Sequence, residues 1–209
     1  MEGRAGLVTD LQSLAAATYE CLAEFLAGAS PEAWDSPSLC EDWSIRHVVA
    51  HVTMPARYTP EQFGLEMAAA GGDFTVLSDT LAARDAPLPI AEHLEALRSK
   101  VLHQWQPPGG GAAAAVNHAT LHALDITLAL GKLAVSSPEA IVAVLDQLSA
   151  DEGTTFGLDL SGVRLAATDI AWSWGDGETL LATSAELAAL LAGRTLPDGR
   201  ALARRPLNQ

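Results

Sequence analysis

The stretch AAAAVNHATLHALDITLALG, residues 112–131, constrains the fold more than any other. Its small and apolar residues read as a buried helix, stopped by Gly131. Yet His118, His122 and Asp125 fall on one stripe of that helix, at spacings of four and three. Residues four apart project from the same face, with about 5–6 Å between Cβ atoms. Burying two imidazoles costs free energy unless each finds a partner. One divalent ion supplies a partner for both, because Zn–N bonds of about 2.0–2.1 Å suit that separation. A third ligand from another helix would leave an open fourth position, and helix-bundle cores are a usual place for such sites. Asp125 has two readings, a group that orients a ligand histidine or an ordinary helix–helix hydrogen bond. This is not a zinc-protease helix, since Ala119 stands where that motif needs Glu.

The flanking sequence supplies helices to pack around it. Leu7, Leu11, Leu14, Ala15, Tyr19, Leu22 and Phe25 recur with period 3.6, giving a long amphipathic helix ended by Gly28. A linker follows, with Ser44 as the cap of a helix over 45–54 that Pro55 ends or kinks. Thr59 and Pro60 start the next helix. Residues 71–89 read as a loop with a short helix at 74–84, and 90–105 as helical. The paired Pro and triple Gly of QPPGGGA mark a break. Ser137, Pro138 and Glu139 open another helix. Near 155 the period changes. Val163, Leu165 and Ala167 alternate as in a strand, and GDGE at 175–178 signals a hairpin. Ser184 caps a closing helix stopped by Gly193, and the tail from 201 reads as loosely held. The expected layout is mainly α, a helical bundle over 1–152 followed by a small α+β region over 153–209.

Composition narrows the function classes. Hydrophobic residues make up 49% and charged residues 18%, enough to bury one good-sized core. Twelve basic residues against 26 acidic ones leave a net charge of −14. Such a surface repels phosphate backbones and anionic membranes, so neither nucleic acid nor membrane is an expected partner. No apolar run is long enough to span a bilayer, and the N-terminus lacks signal-peptide order. Cys21 and Cys40 form neither a CxxC pair nor a disulfide framework, so a reduced, cytoplasmic protein is expected. Trp34, Trp43, Trp105, Trp172 and Trp174 read as packing residues.

Three segments together resemble a known family. CEDWSIRHVVAHV (40–52) is similar to the pattern C-x-G-W-S/T-V-R-D-V-V-A-H-L of the mycothiol-dependent maleylpyruvate isomerase family. That family belongs to the DinB-like metal-dependent four-helix bundles. NHATLHALDITLALG (117–131) is similar to its second segment, where an acidic residue or His stands four before a His. VRLAATDIAWSWGDG with LAALLAGRTL resembles its small C-terminal region, which ends in L-x-G-R. The resemblance implies a DinB-like four-helix bundle followed by a small α+β C-terminal region. It also implies a divalent metal, zinc first and nickel second, held by His51, His118 and His122. At position 118 the isomerase has a carboxylate, whereas other DinB-like proteins often have His. His47 stands at a position that is usually Asp, and is a further ligand or a group behind one.

The activity expected from this resemblance is transfer or isomerisation of a small electrophilic molecule, dependent on a low-molecular-weight thiol of the mycothiol type. A metal-bound thiol is deprotonated and becomes a nucleophile at neutral pH. Two rival readings stand beside it. One is hydrolysis by metal-bound water, with Asp125 or His47 as base. The other is a non-catalytic bundle serving as a ligand-binding or stress module. If the chain self-associates, a homodimer is the expected assembly.

Overall fold

A computed structural model describes residues 10–206. The first helix, α1 (Leu11–Ala27), starts where the Asp10 side chain accepts from the Gln12 and Ser13 amides. This capping satisfies two of the helix's free N–H groups. Leu7, read from the sequence as part of the same stripe, lies outside the described residues. The linker that follows contains one turn of helix, α2 (Pro31–Trp34), whose Trp34 is wholly buried.

Around Pro55 the chain breaks as expected, into α3 (Ile45–Val52) and α4 (Met54–Arg57). Thr53 fills the break by donating its hydroxyl to the Val49 carbonyl at 2.6 Å. Next, α5 (Pro60–Ala69) opens with a reciprocal capping box between Thr59 and Gln62. Within residues 71–89 the short helix expected at 74–84 is α6 (Phe74–Asp85), capped by Asp73. The segment 90–105 is two helices, α7 (Ile90–Leu97) and α8 (Lys100–Gln104), because Ser99 recaps the chain midway.

The central helix, α9 (Gly111–Thr127), packs most extensively against α1, and also against α3. Leu22, Leu26, Val48, Val52, Val116, Ala119 and Ala123 form one apolar core between these helices. After α9 comes α10 (Pro138–Ala150), capped by the Ser137 hydroxyl.

The C-terminal part differs from the sequence reading in topology. Its strands are β1 (Val163–Ala167), β2 (Ser173–Trp174) and β3 (Glu178–Ala182), in the order β2-β1-β3. The strands joined by GDGE are not hairpin partners. β1 lies between them, antiparallel to β2 and parallel to β3. GDGE is therefore a crossing link. Its glycines Gly175 and Gly177 have φ of 78° and 129°, and a Cβ at either would strike the backbone of Val163 or Gly162.

The closing helix α11 (Ser184–Leu191) is capped by Thr183, not Ser184, in a capping box with Glu186. Ser184 instead donates to Asp169. The tail is also better held than expected. The Asp159 amide donates to the Ala203 carbonyl, the Arg205 amide donates to the Gly157 carbonyl, and Leu202 is buried. A second apolar core joins Leu121 and Leu124 of α9 to Val144 and Leu145 of α10, Leu165 of β1 and Leu187 and Leu190 of α11. No helix among the described residues is long and apolar enough to cross a membrane.

Candidate metal centre

Three histidines from two helices meet beside the bundle core. His51 comes from the last turn of α3, and His118 and His122 come from successive turns of α9. Their ring centroids are 4.8–5.3 Å apart, and one ligand nitrogen from each lies within 4.8 Å of the others. His51 is buried, whereas His118 and His122 are partly open to solvent.

Each ring is held by its Nδ1. His51 Nδ1 is 2.9 Å from Ser78 Oγ on α6. His118 Nδ1 is 2.8 Å from the Tyr19 hydroxyl on α1. His122 Nδ1 is 2.9 Å from Asp125 Oδ2. The Asp125 carboxylate can only accept, so the His122 proton sits on Nδ1 and Nε2 is left as the acceptor, while the Ser78 and Tyr19 hydroxyls orient the other two rings. No hydrogen bond reaches any of the three Nε2 atoms among the described residues. This donor set fits a divalent metal: three imidazoles, each with a ring nitrogen within 4.8 Å of the others and each with a hydrogen-bond partner at Nδ1 to orient it.

Electrostatics keep the donors in ligand form. Burial pushes His51 and His118 well below the ordinary histidine pKa, and the neighbouring imidazoles push the same way. Both rings are therefore neutral at pH 7. Burial pushes the Tyr19 hydroxyl up, so it stays protonated.

Asp125 is the hub of the surrounding network. Its carboxylate is 1% exposed and accepts from four donors. Besides His122 these are Arg194 Nε at 2.7 Å, Arg194 Nη2 at 3.0 Å and Cys40 Sγ at 3.0 Å. Burial alone would raise its pKa, but the hydrogen bonds from His122 and Arg194 outweigh burial and hold it well below the carboxylate range. Cys40 is a hydrogen-bond donor here. Burial, with Asp125 beside it, pushes its thiol up, so it is not a thiolate. Cys40, His122 and Asp125 also lie close enough together to suggest a second metal group. The Arg194 guanidinium already occupies the carboxylate, so these three are better described as a hydrogen-bond network around a cation.

His47 is not drawn into the cluster. Its Nδ1 is 2.8 Å from Ser44 Oγ at the start of its own helix. Sequence reasoning gave no role to Tyr19, Ser78 or Arg194. Arg194 had a signal, the Arg that closes LAALLAGR, but its partner lies 69 residues upstream. Tyr19 and Ser78 had none beyond helical periodicity. A cleft of about 820 Å³ lies beyond the network, lined by Cys40, Trp43, Arg194 and Arg204 among others, and none of the three histidines lines it.

The stretch that carries His51 matches a described family. Residues 15–106 match the model of the mycothiol maleylpyruvate isomerase N-terminal domain family. His118 and His122 lie beyond the matched stretch. Two crystal structures of mycothiol-dependent maleylpyruvate isomerase are similar to this chain, one of them a mutant with a histidine replaced by alanine. They are 16% and 15% identical, with a TM-score of 0.57 in each case. Each comparison covers 93% of this chain and 94% of the other. The likeness thus extends through the C-terminal sheet and shows a shared fold. No curated protein matches the sequence.

Proposed function

We propose that this chain is a metal-dependent enzyme that uses a low-molecular-weight thiol of the mycothiol type to transfer to, or isomerise, a small electrophilic molecule. The observation that carries this reading is the convergence of three imidazoles, each anchored at Nδ1 and free at Nε2. The family of residues 15–106 supports the thiol. His51, His118 and His122 would hold the ion, with zinc the first expectation and nickel the second. Once bound, the ion lowers the pKa of a thiol in its open position, making it a nucleophile at neutral pH.

The protein's own groups do the rest. Ser78 and Tyr19 orient two of the rings, and Asp125 holds the third in one tautomer. Arg194 keeps Asp125 ionised, so the His122 proton stays on Nδ1. Neutral ligands leave the charge of the ion undiminished. Hydrolysis by bound water is less well served. Asp125 is committed to four donors, and His47 is turned to Ser44, so neither is placed as a general base.

The test is elemental analysis of protein purified without a histidine tag, wild type beside His122→Ala. Near-stoichiometric zinc in the wild type and its loss in the variant are expected. Wild-type protein that takes up no metal even from added zinc would overturn the proposal and leave a non-catalytic bundle.

A further inference from the structure

The rim of the three-histidine cluster is aromatic. Trp43 lies 5.1 Å from the His51 ring, between centroids, and Phe74 lies 6.4 Å from it on another side. Trp105 meets His118 edge-on at 5.1 Å. The three rings come from three separate elements: the loop before α3, the first residue of α6 and the end of α8. The Trp43 ring is pinned, its Nε1 donating to Asp79 Oδ1 at 3.1 Å. None of the three is buried, and Phe74 is 53% exposed. Large apolar rings left partly in water beside the three histidines are covered at a gain when a ligand binds.

The arginines of the adjoining helices point the same way. Arg194 is the cation that bears on His51, and it is spent on Asp125. Arg46, Arg57 and Arg84 on the neighbouring helices are paired with Asp35, Asp85 and Glu66. Among the described residues, none of these arginines is free to receive a substrate carboxylate. A chain carrying −14 also repels a dianion at long range.

Resting on the function proposed above, we infer that the molecule facing the open metal position is an uncharged aromatic or conjugated planar compound, held among Trp43, Phe74 and Trp105, and not a dicarboxylate. These three are specificity residues for this site, and the hydrogen bond that holds the Trp43 indole lowers the ordering cost of binding.

The test uses cobalt-loaded full-length protein and two thiol probes, benzyl mercaptan and mercaptosuccinate. Both present sulfur to the ion, and they differ in the body that meets the rings. Binding is read from the cobalt visible spectrum. Benzyl mercaptan is expected to bind at least about tenfold more tightly, the scale of ring–ring contact plus buried area. Phe74→Ala, at an exposed position, and Trp43→Ala should each narrow that gap and leave mercaptosuccinate unchanged. Binding of both probes without preference, or a preference indifferent to the two substitutions, overturns this inference alone. Failure of cobalt to load, or of both thiols to reach it, overturns the proposed function and this inference with it.

Discussion

At the scale of single residues, the site depends on Arg194. Its guanidinium makes a bidentate pair with a carboxylate that is 1% exposed. Arg194→Ala would leave that carboxylate with only His122 and Cys40, and breaking a buried pair from one side costs about 3–5 kcal/mol. The freed carboxylate also ceases to fix the His122 ring, a loss expected to weaken metal affinity about 10–100-fold. Denaturant melts and zinc competition measure the two effects separately. Arg194→Lys restores charge without the fork and should recover only part of each. A second residue makes a pH prediction. His93 is wholly buried, takes a hydrogen bond at Nδ1 from Arg57 Nη2, and lies against Ala86 O at Nε2. Burial, with Arg57 beside it, pulls its pKa from 6.5 down to about 4. The unfolded chain therefore takes up this proton first. The His93 contribution is complete above pH 6.5 and lost as pH falls towards 4. The pH dependence of unfolding in metal-free protein should flatten over that window in His93→Gln.

Among elements, the helices were legible because their ends carry local chemistry. Thr59 with Gln62 and Ser137 with Pro138 acted where they stood. α6 was legible as well, since Gly71 and Gly72 end the preceding stretch and Asp73 caps the helix directly after them. The sheet, by contrast, was misread. GDGE has the composition of a hairpin turn, but strand pairing is set by what packs beneath the sheet, and β3 pairs with β1. The structure predicts unequal costs for its glycines. Gly177→Ala, where a Cβ meets the Gly162 carbonyl at φ 129°, should destabilise by about 1–3 kcal/mol. Gly157→Ala, left-handed but with nothing within 4 Å, should cost about 1 kcal/mol. Equal shifts in thermal midpoint for the two would contradict the crossing-link geometry.

For the molecule as a whole, the two apolar cores share α9. Ala119 and Ala123 belong to the bundle core, while Leu121 and Leu124 belong to the core with α10, β1 and α11. A defect in the C-terminal core is therefore felt by the helix that carries His118 and His122. Leu190→Ala should cost about 2–5 kcal/mol, as for other buried leucines. It should do so in one transition for the whole chain, with zinc affinity falling alongside. Two separate transitions, with the site untouched, would show the cores to be independent. Added zinc should stabilise the wild type by roughly 2.7 kcal/mol at a hundred times its Kd, and the same zinc concentration should stabilise Leu190→Ala less.

The sequence by itself determined the helices and their caps, the buried stripe of α9, and His118, His122 and Asp125 on one face of it. These follow from periodicity and backbone chemistry acting over a few residues. That His51 meets them came from family resemblance, since no spacing rule joins residues 67 and 71 positions apart. Tertiary structure alone decided the partners: Tyr19 behind His118, Ser78 behind His51, and Arg194 with Cys40 on Asp125. A buried polar atom accepts whichever donor the packing brings to it, and that donor lies nowhere near it in the chain.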